Sequence, residues 1–176
     1  MRKLCETLRQ AMEQAGLRDG MTISFHHHLR NGDYVLNMVL DEAAKMGVKD
    51  LTVNASSVFD CYEPMLDHIR NGVVTGLETD YIAPGIGREL SKASCPNPSS
   101  SARMLPPGGH SQRAQPHRHC FIAAPASDSM GNCSGKYGPS ACGSLGYAFA
   151  AHEGKKKSGG HHRPPDGLSS DGRLHH

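Results

Sequence analysis

The residues best suited to chemistry lie within Asp19–Asn37, where three consecutive histidines, an arginine and an Asn-Gly turn follow a short apolar run. The run Met21–Phe25 predicts a buried strand, and Asp33 stands where it can cap an amphipathic helix. In α/β proteins, ligands bind where a strand ends in a polar turn and the N–H groups of the next helix face them. The stretch therefore predicts an anion-binding turn without naming the anion.

The histidines His26, His27 and His28 allow more than one interpretation. Side chains alternate along an extended segment, so only His26 and His28 share a face, and no cysteine or acid lies in register to complete a metal site. Together with Arg30 they can donate hydrogen bonds to an anion, or they can form a polar strand end that faces solvent. We predict no metal here.

The turn Asn31-Gly32-Asp33 combines donors with an acid. A carboxylate at a helix start satisfies backbone N–H groups itself and repels an incoming anion. We therefore expect Asp33 to be a cap and the backbone N–H groups of Asn31 and Gly32 to contact the ligand. Ser56 and Ser57 follow the second predicted strand and can offer hydroxyl contacts to a ligand, although serines are also common in polar turns that bind nothing.

A glycine-rich loop, Gly131–Lys136, has glycines and a lysine in the order of a phosphate-binding loop. Three residues separate the glycines where four are required, and Tyr137 replaces the Ser or Thr that would hold magnesium, which excludes nucleotide hydrolysis. Because glycine lacks a side chain, this loop and the run starting at Gly143 and Ser144 allow a backbone to approach an acyl thioester closely.

The elements that must position these residues alternate between helix and strand. We predict helices at Lys3–Ala15, Tyr34–Met46 and Pro64–Arg70, and strands at Met21–Phe25, Leu51–Asn54, Val73–Leu77 and Cys120–Ala124. This rhythm predicts right-handed crossovers and an α/β fold with a parallel, doubly wound sheet flanked by helices.

Length and composition narrow the class of protein. The 176 residues are enough for one domain with a core, and a net charge of +2 does not favour nucleic acid or an anionic membrane as a partner. No apolar run approaches the roughly 20 residues of a membrane span, and the charged N-terminus lacks a signal core. Six cysteines without a C-x-x-C pair indicate reduced thiols, so we expect a cytoplasmic protein.

Two ranges break the pattern. From Lys92 to His119, Leu105 is the only Val, Ile or Leu, and five prolines interrupt the backbone; residues 151–176 are similarly poor in aliphatic side chains. Such segments bury too little apolar surface to offset their ordering entropy, which predicts an irregular insert and a disordered tail. Their Arg, Pro, Ser, Gly and His content also fits translation out of frame.

Two long blocks resemble the N-terminal domain of the citrate lyase alpha subunit family. The first contains DGMTISFHHHLRNGDYVLNMV, DLTVNASSVFD and HIRNGVVTGL, and the second is FIAAPASDSMGNCSGKYGPSACGSLGYAFA. The resemblance covers about residues 2–91 and 120–150. It implies an incomplete NagB/RpiA/CoA-transferase-like domain formed by 1–91 and 120–150, interrupted by an out-of-frame segment 92–119 and followed by an out-of-frame tail 151–176, with the second domain of the family missing.

The resemblance also implies an activity and partners. The family is a citrate CoA-transferase that moves the acyl-carrier (gamma) subunit from acetate to citrate, after which the beta subunit cleaves the citryl-carrier. No metal or cofactor is implied on this subunit, because the carrier brings a phosphopantetheine-type arm. Catalytic residues stay unassigned, and we expect little activity from a truncated chain. The residues expected to bind substrate are His26, His27, His28, Arg30, Asn31, Gly32, Ser56, Ser57, Gly131, Asn132, Gly143 and Ser144.

Two other functions compete with this interpretation. One is a non-enzymatic, histidine-rich fragment that binds divalent metal through His161, His162, His175 and His176 with the central histidines. The other keeps the fold and exchanges citrate for a sugar phosphate. Titration with nickel or zinc tests the first, and competition between citrate and sugar phosphates tests the second.

Overall fold

Helix and strand alternate along the chain in the computed structural model, which describes residues 4–26, 33–91, 101–104 and 118–143, with backbone alone at residues 26, 101–104 and 118. The longest described helix has 11 residues, and none in these ranges is long and apolar enough for a transmembrane span. A 3-10 helix occupies Asp60–Tyr62. The other elements are α1 (Leu8–Ala15), β1 (Thr22–His26), α2 (Val35–Lys45), β2 (Leu51–Ala55), α3 (Met65–Arg70), β3 (Val74–Thr79), α4 (Pro84–Ser91), β4 (Ser101–Met104), β5 (Arg118–Ile122), β6 (Ala126–Ser127) and β7 (Cys133–Ser134).

Five of the strands form one parallel sheet in the order β4-β3-β2-β1-β5. The chain steps from β1 to β4 towards one edge and then returns to place β5 on the other side of β1. β6 and β7 pair antiparallel in a separate small hairpin. The prediction of a parallel α/β sheet flanked by helices is confirmed.

The central strands of the sheet carry the core. Ile23, Val53 and Leu77 are register partners across β1, β2 and β3, and all three are buried. They belong to one apolar cluster with buried residues of α2 and α3, and each buried aliphatic side chain contributes roughly 1.5–3 kcal/mol. The next residues along β2 and β3 are polar but also buried, and Asn54 Nδ2 donates to Glu78 Oε2 at 2.6 Å. Burial is therefore almost continuous along these strands, as is typical of a parallel sheet covered on both faces.

Several element boundaries differ from the predicted ones. α1 begins at Leu8 and not at Lys3, because the hydroxyl of Thr7 accepts from the Gln10 N–H at 3.1 Å and caps the helix there. β3 continues beyond the predicted end at Leu77 to Thr79, paired with β2 throughout. β5 begins at Arg118 and ends at Ile122, two residues earlier than the predicted strand.

The structure also differs from the composition-based prediction within residues 92–119. Ser101–Met104 pairs in parallel with β3, and residues 118 and 119 belong to β5. Backbone hydrogen bonds to a neighbouring strand order these residues without aliphatic side chains. The helix α4, which precedes this range, was not predicted, since two glycines in its first turns lower its helix propensity. The out-of-frame origin of 92–119 and 151–176 stays a prediction, and residues 151–176 lie outside the described part.

Candidate functional site

The sheet reverses its winding direction next to β1. β2 follows β1 on one side, whereas β5 lies on the other, with Phe121 as register partner of Phe25 and Ile122 as partner of His26. The rings of Phe25 and Phe121 stack with centroids 5.3 Å apart. In open α/β sheets, ligands bind outside the carboxyl ends of the strands at such a switch point. The loops that leave His26 and Ile122 therefore start side by side at the expected ligand position.

The floor of this position is a closed crevice. It is lined by Phe25, Asp33, Val35, Leu36, Tyr62, Phe121 and Ala123. The space between these side chains is too narrow for a water molecule. A ligand would therefore bind above this packed apolar floor, among the loops, and not within it.

The start of α2 carries the acid at the edge of the crevice. Asp33 Oδ1 accepts from the Val35 N–H at 2.8 Å, so Asp33 does bind the start of α2, but the N-cap residue is Tyr34, which makes no side-chain capping bond. Asp33 Oδ2 is buried and makes no hydrogen bond with the residues that the structure describes. The hydroxyl of Tyr62 accepts from the Asp33 N–H at 3.3 Å, and burial, reinforced by the Asp33 charge, raises the pKa of Tyr62 above its ordinary value. Tyr62 is consequently a neutral phenol beneath the site.

The turn after β2 brings two of the predicted ligand residues to the same, carboxyl end of the sheet. Ser56 and Ser57 directly follow the last residue of β2, which pairs with Phe25 of β1. Ser56 is buried and Ser57 half-buried. Beyond them, the Val58 N–H donates to the Tyr81 carbonyl at 2.8 Å, so the turn is tied to the segment after β3. The serines thus lie at the carboxyl ends of the central strands, as predicted.

The chain after β5 forms a hairpin organised by one carboxylate. Asp128 Oδ1 accepts from the N–H groups of Met130 and Asn132 at 2.8 and 2.9 Å, and Oδ2 accepts from Asn132 Nδ2 at 2.6 Å. The Gly131 N–H donates to the Asp128 carbonyl at 3.1 Å. The hydrogen bonds from Asn132 lower the pKa of Asp128 below its usual value. The N–H groups of Gly131 and Asn132 are therefore committed to the hairpin.

The glycines further along this loop pack against the loop itself. The Gly135 carbonyl accepts from the N–H groups of Cys142 and Gly143 at 2.8 and 3.0 Å. A Cβ atom on Gly135 would lie 2.0 Å from the Gly143 carbonyl oxygen, so only glycine fits. We predicted that glycine would let the backbone of this loop approach an acyl thioester closely. At Gly135 the backbone instead packs closely against another part of the same loop.

The structure places six of the twelve predicted ligand residues, at different levels of detail. Ser56, Ser57, Gly131, Asn132 and Gly143 follow β2 or β5, and His26 ends β1 with its backbone alone described. His27, His28, Arg30, Asn31, Gly32 and Ser144 lie outside the described residues, so their roles stay predictions. Within the described ranges, no group of three or more His, Cys, Asp or Glu side chains could hold a metal ion.

Two residues of this region were missed in the sequence. Tyr62, in the 3-10 helix, contacts the start of α2, and no local sequence pattern predicts that contact. Asp128 did leave a signal, because an aspartate followed by Gly and Asn at the third and fourth positions is typical of a side-chain-capped turn.

Comparison with known proteins places this geometry in one family. The model of the citrate lyase alpha subunit family (CitF) matches residues 1–158. The chain is 40% identical over 160 residues to the citrate lyase alpha chain of Escherichia coli, covering 89% of this chain and 31% of that one. It is 41% identical over 151 residues to the Klebsiella pneumoniae alpha chain, covering 84% and 29%.

A solved structure agrees with these relatives. The chain is similar to the alpha subunit of citrate lyase from Streptococcus mutans in complex with citrate, with a TM-score of 0.79 and 42% identity over 87% of this chain and 30% of that one. The chain thus spans about 30% of the length of the relatives it matches.

Proposed function

Because the chain belongs to the citrate lyase alpha subunit family, we propose that it carries the citrate-facing part of a cytoplasmic citrate CoA-transferase. The observation that carries the proposal is the switch point between β1 and β5, where the predicted ligand loops start together. The relative solved with citrate supports citrate as the ligand, since it shares this fold at 42% identity. The beta subunit and the acyl-carrier gamma subunit are the proposed partners.

The proposed reaction exchanges one acyl group on the carrier for another. A citrate carboxylate oxygen attacks the acetyl thioester carbon of the carrier, the C–S bond breaks, and a mixed acetyl-citryl anhydride and a carrier thiolate result. The thiolate then attacks the citryl carbonyl, the C–O bond breaks, and acetate leaves as the citryl thioester forms. Each step passes through an oxyanion, so fixed N–H donors and orientation of the reactants supply the catalysis. No metal is needed for this sequence.

The electrostatics at the start of α2 support one choice of citrate-binding groups. Asp33 places a carboxylate at the start of α2, and its Oδ1 accepts from the Val35 N–H. The helix start therefore does not offer an open positive end to citrate. We propose that Arg30 and the preceding histidines supply the positive charge and that the backbone of Asn31 and Gly32 supplies donors, with Arg30 as the principal partner of a citrate carboxylate.

Calorimetric titration of the 176-residue chain with citrate tests this assignment. We expect saturable binding of citrate, weaker binding of acetate, and about a tenfold or greater loss of citrate affinity in Arg30→Gln, since a charge-assisted hydrogen bond contributes roughly 1.5–3 kcal/mol. Arg18→Gln is the matched control, because Arg18 lies in a groove at the opposite end of the sheet. Equal citrate affinity in the Arg30 variant would contradict the assignment.

The activity of the 176-residue chain by itself is a separate question, because the chain spans about 30% of the length of its relatives. We propose that the isolated chain binds citrate but transfers the carrier at a negligible rate. The assay converts acetyl-carrier and citrate to citryl-carrier, followed by mass spectrometry of the carrier. A rate near that of an intact alpha subunit would contradict this part of the proposal.

A further inference from the structure

Two hydrogen bonds join the start of α2 to the 3-10 helix that follows β2. The hydroxyl of Tyr62 accepts from the Asp33 N–H at 3.3 Å, and Asn37 Nδ2 donates to the Cys61 carbonyl at 2.8 Å. Tyr62 is 1% exposed and Asn37 is 8% exposed, whereas their partners Asp33 and Cys61 are half-buried. We name Asp33, Asn37, Cys61 and Tyr62, with these two bonds, the helix latch.

The helix latch joins two described segments at the proposed citrate site. One is the start of α2 at Asp33, and the other is the turn Ser56–Ser57, which comes shortly before the 3-10 helix. A bond that fixes Asp33 to Tyr62 therefore limits how far one of these segments can move relative to the other. Both bonds join residues more than 20 positions apart in sequence, so neither results from local helix geometry.

The polar content of the helix latch is poorly suited to stabilising the fold. Asp33 Oδ2 and Asn37 Oδ1 are buried, and within the described part of the chain neither makes a hydrogen bond. Buried acceptors without donors lower stability, and apolar side chains of similar volume would avoid that cost. α2 uses such side chains at Leu36 and Leu40, on either side of Asn37. The latch therefore serves to hold the start of α2 at a fixed position relative to the Ser56–Ser57 turn.

We infer that Tyr62 and Asn37 are positioning residues for citrate, acting through the start of α2 and the Ser56–Ser57 turn and not by contact with the ligand. The inference rests on the proposed citrate site at the carboxyl ends of β1 and β2. It assigns the neutral Tyr62 phenol to hold the Asp33 backbone and the Asn37 amide to hold the Cys61 carbonyl. Loosening either bond changes citrate affinity without removing any group that binds citrate.

The variants Tyr62→Phe and Asn37→Leu separate positioning from stability. Each deletes one latch bond and keeps the side-chain volume, and we expect the citrate dissociation constant, measured by calorimetry, to rise about tenfold in each, which corresponds to one buried hydrogen bond. Because Asn37→Leu also removes an unpartnered acceptor, its urea midpoint should equal or exceed that of the unmodified chain. A loss of stability in proportion to the loss of affinity would overturn the inference.

Tyr81→Phe is the matched control. The rings of Tyr62 and Tyr81 both contact Phe59, at centroid distances of 6.4 and 5.9 Å and with the same 47° tilt. Tyr81 is 46% exposed and takes no part in the helix latch. We expect its variant to bind citrate as the unmodified chain does. Asn37→Leu keeps the test decisive if Tyr62→Phe fails to fold.

Hydrogen exchange without ligand distinguishes this inference from the proposed function. In Tyr62→Phe, amide exchange should accelerate in residues 33–37 and 56–62 and stay unchanged in α1. Unchanged exchange in both segments overturns the latch, whether or not the chain binds citrate. Accelerated exchange with unaltered citrate affinity overturns positioning. If the unmodified chain does not bind citrate, the proposed function and the role of Tyr62 and Asn37 in citrate binding are both overturned. Accelerated exchange in Tyr62→Phe would then show only that the latch couples the two segments.

Discussion

Substitution of Gly135 by alanine tests how tightly the loop after β5 is closed. A methyl group there would lie 2.0 Å from the Gly143 carbonyl oxygen and 3.2 Å from Cys142 Sγ. Real Cβ atoms essentially never approach another atom within 3.0 Å, so the two sides of the loop must separate by at least about 1.0 Å. Backbone cannot rotate away as a flexible side chain would, and the loop has to open.

The cost follows from the contacts that are lost. Separation by 1.0 Å takes the hydrogen bonds from Cys142 and Gly143 to the Gly135 carbonyl, now 2.8 and 3.0 Å long, beyond hydrogen-bonding distance. Overpacking costs about 1–3 kcal/mol and each lost bond about 0.5–1.5 kcal/mol, which together destabilise the closed loop by about 2–6 kcal/mol. Neither glycine belongs to the apolar core, so the sheet should keep its stability.

Hydrogen exchange and urea unfolding are measured on the same samples. In Gly135→Ala we expect faster amide exchange across residues 133–143, an unchanged urea midpoint for the sheet, and weaker citrate binding. Gly87→Ala in α4 is the control, since its methyl group would meet Ile82 Cγ2 at 3.6 Å, an ordinary contact, and should raise helix stability by about 0.5–1 kcal/mol. Exchange in 133–143 that equals that of the unmodified chain would refute the packing argument.

Three further predictions follow from the described contacts. Asp33→Ala removes the hydrogen bond from the Val35 N–H at the start of α2 and should lower the free energy of unfolding by about 1 kcal/mol in urea; an unchanged value would show that this bond is not formed in solution. Ile23→Ala, at a fully buried position of β1, should lower the free energy of unfolding by about 2–5 kcal/mol, and a loss below 1 kcal/mol would show a loosely packed core. The hydrogen bonds from Asn132 lower the pKa of the Asp128 carboxyl in the folded chain below 3.8, its value in the unfolded chain. The Asp128 carboxylate therefore stabilises the hairpin fully above pH 3.8, and this stabilisation is lost as the pH falls through the lower pKa of the folded chain. NMR titration of the Asp128 carboxyl checks this, and a pKa at or above 3.8 would contradict it.

The central strands were predictable because local patterns mark them. Met21–Phe25, Leu51–Asn54 and Val73–Leu77 are short apolar runs between glycine-ended helices, and each lies in or beside an observed strand. The start of α1 was misplaced although Thr7 and Gln10 carry the signal. Gln10 donates its N–H to the Thr7 hydroxyl and accepts from the Glu6 N–H at 2.9 Å, a pattern close to a capping box.

β4 could not be predicted from side chains. Ser101–Met104 has no aliphatic alternation, and its order comes from backbone pairing with Gly76–Thr79 of β3. Pairing between strands depends on which segments meet in space, and a single window of sequence does not contain that information. For the same reason, the sequence did not predict that β5 pairs with β1, and the location of the switch point could not be predicted either.

In the candidate site too, contacts between residues close in sequence were predictable and contacts between distant residues were not. Asp33 was predicted as a cap because a carboxylate and the N–H it accepts from lie two positions apart. Tyr62 was missed because its hydroxyl meets a residue 29 positions earlier. The resemblance of the two sequence blocks to one family predicts that the loops after β1 and β5 serve a common site. The structure shows that both loops start at the carboxyl end of the sheet, and the common site itself stays a prediction.

Mapping of citrate by backbone amide protection tests the location of the site most directly. On the proposed function, saturating citrate protects amides in residues 26–36 and 121–135 and leaves the groove of Leu17–Asp19 and Met46–Val48, at the opposite end of the sheet, unchanged. Protection confined to that groove, or no protection in either β1 or β5 loop, would contradict a citrate site at the switch point.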